Sequence, residues 1–139
     1  MKNVVDKYLT AYGRLSIKYL VKENLDVIVI ADFSTIYTVY LKNSTDRLRE
    51  FLERIEHDPV LSKIKAVREG HVFIVDYQLV LNVRSIIGAF YLAKALYPKL
   101  FKDIDPDKLH EEFFEKWFGI PYRGIWFYPE PWKTNATLS

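Results

Sequence analysis

Asp26-Val-Ile-Val-Ile-Ala-Asp32 and His71-Val-Phe-Ile-Val-Asp76 are two short β-branched runs, each closed by an aspartate. Continuous apolar runs of this length read as strands buried on both faces, the pattern of a parallel sheet covered by helices. Helical periods surround them. Ser16 is placed to cap a first helix that reaches Glu23. Ser44-Thr45-Asp46 opens an amphipathic helix with Leu48, Phe51, Leu52 and Ile55 on one face. A shorter segment, Val60 to Val67, runs to Glu69-Gly70, where Gly70 provides a tight turn. Val83, Ile86, Ile87 and Phe90 line a long helix stopped by Tyr97-Pro98. The best-marked helix has Asp105 as N-cap, Pro106 as its first residue, Leu109, Phe113 and Trp117 along one side, and Gly119 as its stop. Helix–strand–helix–strand–helix order predicts right-handed crossovers and an α/β fold, a Rossmann-like layered domain with a mostly parallel sheet flanked by helices.

A chain of 139 residues reads as one domain, residues 1–139, ending in an aromatic, proline-containing tail over 120–139. Half of the residues are hydrophobic, which places the chain among folded globular proteins. The charge balance, 20 basic against 18 acidic residues, leaves no clustered basic stripe and argues against a nucleic-acid partner. Without cysteine there are no disulfides or thiolate metal sites. Apolar runs such as Val27–Ala31 and Val72–Val75 are too short to insert into a membrane. Met1-Lys2-Asn3-Val4-Val5-Asp6-Lys7 lacks the apolar stretch of a secretory signal, so the sequence as written reads as cytoplasmic.

Several phrases resemble one family. Leu15-Ser16-Ile17-Lys18-Tyr19-Leu20 followed by Asn24-Leu25-Asp26-Val27-Ile28-Val29 is similar to a helix and strand that the family writes S-x-E-x-L … N-P-D-V-I-I. Ala66-Val67-Arg68-Glu69-Gly70-His71-Val72-Phe73-Ile74-Val75 is similar to its A-V-K-N-G-R-V-Y-V-V turn and strand. Leu92-Ala93-Lys94-Ala95-Leu96-Tyr97-Pro98, Phe101-Lys102-Asp103-Ile104-Asp105 and Phe118-Gly119 resemble its closing L-A-K-x-L-Y-P … F-x-D-I-D … F-Y-G. The family is the periplasmic binding proteins of ABC importers for iron–siderophore, haem and vitamin B12. The resemblance implies the carboxy-terminal lobe of a two-lobed fold that acts by binding. Its expected ligand is an iron complex or a cobalamin-like molecule. It also implies an amino-terminal lobe and an ABC permease as partners, and a periplasmic or extracellular location, where the chain is part of a complete binding protein. The family's permease-docking acidic residue falls on Lys18, a reversal that turns an attractive contact into a repulsive one.

Ligands of open α/β sheets sit beyond the carboxyl ends of the strands. Those ends are Asp32-Phe33-Ser34 and Asp76-Tyr77-Gln78, with Asn82 and Arg84 following. The candidate ligand-binding residues are therefore Asp32, Phe33, Tyr77, Gln78, Asn82 and Arg84. Phe33 or Tyr77 can stack on a bulky planar chelate, and Arg84 can pair with carboxylate or hydroxamate oxygens. The plainer alternative has Asp32 and Asp76 capping the next helices and Arg84 as a surface or helix-packing charge.

His57, His71 and His110 show no metal-binding spacing; His71 is expected to open a strand, and the other two to lie near helix ends or surfaces. Neither a resident metal nor a cofactor is implied. Nucleophile elbow, phosphate loop and paired-carboxylate motif are all missing, so the reading is not that of an enzyme. Phe113 to Trp132 carries nine aromatics interrupted by Pro121, Pro129 and Pro131, which predicts an extended run over the domain surface. Those rings either cover the chain's own core or line a subunit contact. A homodimer is expected, with Val4, Val5, Tyr8, Leu9, Tyr12 and the Trp126–Trp132 region near the contact.

Overall fold

The computed structural model describes residues 13–33, 43–81 and 83–134. Two compact units are distinguished within the chain. One is built from the described residues of Met1–Ile28 and of Arg47–Val72, the other from those of Val29–Asp46 and Phe73–Ser139.

The first unit holds helix α1 (Ile17–Glu23), most of α2 (Asp46–His57), a single 3₁₀ turn at Leu61–Lys63, and the short α3 (Lys65–Arg68). Ser16 precedes α1 in extended backbone, but its side chain makes no capping bond. Asn24 ends α1 with φ of 48°, a conformation that asparagine tolerates better than most residues. From there its Oδ1 accepts the Lys65 N–H at 2.9 Å, and the neighbouring Leu25 carbonyl accepts the Ala66 N–H at 2.8 Å. Lys65 Nζ meets Asp26 Oδ1 at 2.7 Å. The strand-opening segment is thereby tied to α3, whose Ala66 and Val67 are buried. Leu48 is the buried residue of α2; Leu52 and Ile55 are half-buried, and Phe51 lies outside with the Arg54 guanidinium over its ring.

In the sheet, β1 (Ile28–Asp32), β2 (Val72–Asp76) and β3 (Phe127–Tyr128) lie in that order. Ile28 N–H donates to the His71 carbonyl and Tyr77 N–H to the Asp32 carbonyl, so β1 and β2 run parallel. The third strand comes from the aromatic tail and is antiparallel, pairing Ile74 with Tyr128 and Val75 with Phe127. Every residue of β2 is buried, as its composition implies. β1 departs from the expectation of two covered faces, because Val29 is 43% exposed. Among the described residues β1 has a strand on one side only, which leaves it less covered than β2.

Helices α4 (Gln78–Leu81), α5 (Ser85–Leu96), α6 (Pro106–Phe118) and α7 (Pro131–Thr134) complete the second unit. Asp105 accepts the N–H groups of Asp107 and Lys108, Pro106 occupies the first turn, and Gly119 closes α6 at φ 63°. The cap and stop are those read from the sequence. The buried face is not: Pro106, His110 and Phe114 point inward, while Trp117 is 67% exposed and Leu109 and Phe113 are half-buried. Tertiary partners make the choice, since His110 and Phe114 meet Tyr122 and Trp126 of the tail. The tail also differs from a plain extended run, because it forms β3 and the single-turn α7.

Gly88 of α5 marks the closest approach in this unit. A Cβ there would stand 2.1 Å from the Leu79 carbonyl oxygen of α4. Gly→Ala in an open helix gains about 1 kcal/mol. Here the expected outcome of Gly88→Ala is a loss of about 1–3 kcal/mol, because backbone must move to admit the methyl group. Urea unfolding of the two proteins checks the sign.

Candidate functional site

The strand-end residues of the second unit are brought together by main-chain pairing. The Tyr77 N–H to Asp32 carbonyl bond, 3.2 Å long, joins the loop after β2 to the end of β1. That places Phe33 against Tyr77, their ring centroids 5.4 Å apart and the planes 26° from parallel. Phe33 is 51% exposed and Tyr77 is half-buried, so the pair offers an aromatic surface at the carboxyl ends of the strands. Asp32 is half-buried beside it.

Asp76 is buried, and its Oδ1 accepts the Gln78 N–H at 3.0 Å, which starts α4. At this position the capping alternative holds. Gln78 is half-buried, and its Oε1 accepts a bond of 2.6 Å from Arg84 Nη2. Arg84 sits in an aromatic box, its guanidinium carbon 5.0 Å from the Trp126 ring centroid, 5.5 Å from Phe114 and 5.8 Å from Phe118. Nη1 is buried with no hydrogen-bond partner among the described residues. Burial lowers the Arg84 pKa, against the opposing effect of Asp76 and Tyr77. The guanidinium is therefore packed between α4, α6 and the tail. Asn82 lies outside the described residues. Lys18 is exposed on α1, in the first unit.

A second polar cluster escaped the sequence reading. Asp107 Oδ1 accepts the hydroxyls of Tyr91 at 2.7 Å and Tyr122 at 3.1 Å, and those hydroxyls lie 2.9 Å from each other. Lys133 bridges Asp107 Oδ2 at 2.6 Å and Glu130 Oε2 at 2.8 Å. Burial first, then the neighbouring Tyr122 and Asp107, raises the Tyr91 pKa and keeps the phenol protonated. Burial likewise raises Tyr122. For Asp107 burial acts upward, but the bonds from Lys133 and Tyr91 outweigh it and the pKa is lowered. His110 adjoins the cluster, with Nδ1 3.5 Å from the Tyr91 hydroxyl. It is fully buried, not near a helix end or surface as expected, because α6 turns it onto the rings of Tyr91, Phe114, Tyr122 and Trp126. Local pattern could not reveal this, since Tyr91, Asp107, Tyr122 and Lys133 lie on separate elements that only tertiary packing assembles.

Trp126 and Phe127 are buried within their own unit, Trp126 against His110 and Phe114 of α6 and Phe127 against Phe73 of β2. Val4, Val5, Tyr8, Leu9 and Tyr12, the other expected contact residues, lie outside the described residues. The described residues contain no group of histidine and carboxylate side chains able to hold a metal ion. No described helix is long and apolar enough to cross a membrane.

No protein-family model matches the chain. Among curated proteins it is similar to the molybdate-binding protein MolA of Haemophilus influenzae, at 28% identity over 83 residues, covering 56% of this chain and 24% of that one. Among solved structures it is similar to the TroA-like periplasmic binding protein FepB of Veillonella parvula, with a TM-score of 0.74 and 24% identity, covering 88% of this chain and 37% of that one. The chain thus spans about a quarter of the curated relative and somewhat over a third of the solved one. The structural likeness establishes the fold: mixed α/β, corresponding to a single lobe of a TroA-like binding protein.

Proposed function

We propose that the chain is a ligand-binding lobe of a solute-binding protein, acting by binding and not by catalysis. The carrying observation is the exposed Phe33–Tyr77 stack at the carboxyl ends of β1 and β2. Ligands of open α/β sheets occupy that position. A flat aromatic surface suits a bulky ligand with planar or apolar faces, such as an iron–siderophore, haem or a cobalamin-like molecule. Asp32, Gln78 and Asn82 are the proposed polar complement, with Arg84 acting from behind Gln78. In this reading the lobe serves an ABC importer outside the cytoplasmic membrane. A second lobe, a permease and another copy of the chain are its proposed partners.

The molybdate-binding relative favours a second reading, a small tetrahedral oxyanion. Such an ion is held by convergent donors and positive charge. Arg84, the cation beside the stack, is directed instead into an aromatic box and onto Gln78. The bulky-ligand reading is preferred on that ground.

Calorimetric titration with a ferric tris-catecholate, with haem and with molybdate separates the two. One lobe presents one wall, so the expected dissociation constant for a bulky ligand lies at about micromolar to millimolar. Phe33→Ala or Tyr77→Ala should weaken it by about three- to tenfold, the worth of one aromatic stacking contact. Saturable molybdate binding that ignores both substitutions would overturn the reading in favour of the oxyanion.

A further inference from the structure

We infer that Arg84 is a positioning residue, which locks the Gln78 side chain so that its amide hydrogens, and not its oxygen, face the ligand. The recognised group is then an oxygen acceptor, met by a neutral donor. This inference rests on the binding role proposed above.

A guanidinium only donates hydrogen bonds, whereas a carboxamide carries one accepting and one donating end. Because Arg84 Nη2 stands 2.6 Å from Gln78, the carboxamide end turned to it must be the oxygen Oε1. The distance is that of a charge-assisted bond. Arg84 has little freedom to let go. Trp126, Phe114 and Phe118 flank its guanidinium, and Nη1 is buried. The main chain of Gln78 is held as well, by the bond from its N–H to Asp76 Oδ1. With both ends fixed, Nε2 is the remaining function of Gln78. It has no hydrogen bond to a described residue and is not sealed from solvent. Gln78 follows Tyr77 directly in the chain, so its backbone adjoins the residue that stacks on Phe33.

The positive charge of Arg84 consequently acts through a bond already made, and the ligand meets an amide N–H. Oxygen acceptors of catecholate, hydroxamate or carboxylate type fit such a donor. A ligand group that must donate does not.

Two experiments on the full chain test this, one without ligand. In ¹⁵N NMR spectra of the free protein, the Arg84 guanidinium protons should exchange slowly and the Gln78 side-chain amide protons at the rate of a free amide. Gln78→Leu should abolish the slow Arg84 signals. Slow Gln78 amide protons, or Arg84 signals indifferent to Gln78→Leu, overturn the arrangement.

The second experiment uses calorimetry with a ferric tris-catecholate as probe. Gln78→Leu and Arg84→Met should each weaken binding by about three- to tenfold, and the double variant no more than Gln78→Leu alone, as expected for residues acting as one unit. Arg84→Lys, which keeps a donor and the charge, should recover part of the loss and shows that folding is not what Arg84→Met disturbs. Losses that multiply in the double variant would mean that Arg84 touches the ligand itself, and the positioning role is then wrong. A wild-type chain that binds none of the probes overturns the binding role and the recognition half of this inference. The exchange measurement still decides the Arg84–Gln78 arrangement.

Discussion

Unfolding free energy measured in urea is expected to fall as the pH drops from 6.5 towards about 3, and His110→Phe is expected to remove most of that fall. In the unfolded chain the imidazole takes up its proton near its ordinary value of 6.5. In the folded chain burial foremost, and the charge of Arg84 second, push its pKa down to about 3, with Asp107 acting in the opposite direction. Between those values the unfolded state binds more protons than the folded one. The contribution of His110 is therefore complete above pH 6.5 and is lost as the pH falls through the window. One such proton gives a slope approaching about 1.4 kcal/mol per pH unit, so the loss is on the order of a few kcal/mol, a large share of the stability of a small protein.

Asp107, whose folded pKa is lowered, adds to the acid loss at the lower end of the same range. Glu130, raised by its burial, works in the other direction, since its contribution is lost as pH rises. Neither effect belongs to His110, which is why the phenylalanine variant isolates the imidazole. A variant that keeps the full wild-type slope would show that His110 is protonated in the fold or reached by solvent.

The second large effect contrasts two aromatic residues that sequence pattern ranks in the wrong order. Phe127→Ala is expected to cost about 3–5 kcal/mol, the range for truncating a buried aromatic ring. Phe127 is 2% exposed and packs on Phe73, Tyr91 and Trp132, so its loss opens a hole between β2, α5 and the tail. Trp117→Ala is expected to fall within about 0.5 kcal/mol of wild type, because that ring stands exposed with the Lys116 ammonium 5.9 Å from its centroid. Urea midpoints of the two variants give the comparison. A costly Trp117→Ala beside a mild Phe127→Ala would return the buried face of α6 to the Leu109–Phe113–Trp117 side and remove the tail from the core.

Some features were legible in the sequence because their cause is local. The run Val72–Val75 has no polar side chain to face solvent, so β2 had to be covered, and it is buried throughout. Asp105-Pro106 and Gly119 carry their meaning in backbone chemistry: an acceptor for free N–H groups, a fixed φ, and a residue at ease at positive φ. The strand-end positions followed from the same reasoning. Once β1 and β2 are parallel neighbours, the residues after them meet, and Phe33 stacks on Tyr77.

Tertiary structure decided what depends on partners distant in sequence. Tyr91, Asp107, Tyr122 and Lys133 each look ordinary in their own segment, and only the meeting of α5, α6 and the tail turns them into one hydrogen-bonded cluster. Arg84 could be read as a ligand's partner or a packing charge. The rings of Phe114, Phe118 and Trp126 flank its guanidinium, whose face is weakly hydrated and stacks well on aromatics. The inward face of α6 was likewise open, since a helix with aromatics on two sides can bury either. The sequence by itself determined the α/β order, the cap and stop of α6 and the place where the strands end, for each rests on neighbours a few residues apart. The antiparallel third strand, the buried His110 and the orientation of Gln78 were left to packing, because their energies arise only between elements that are separate in the sequence.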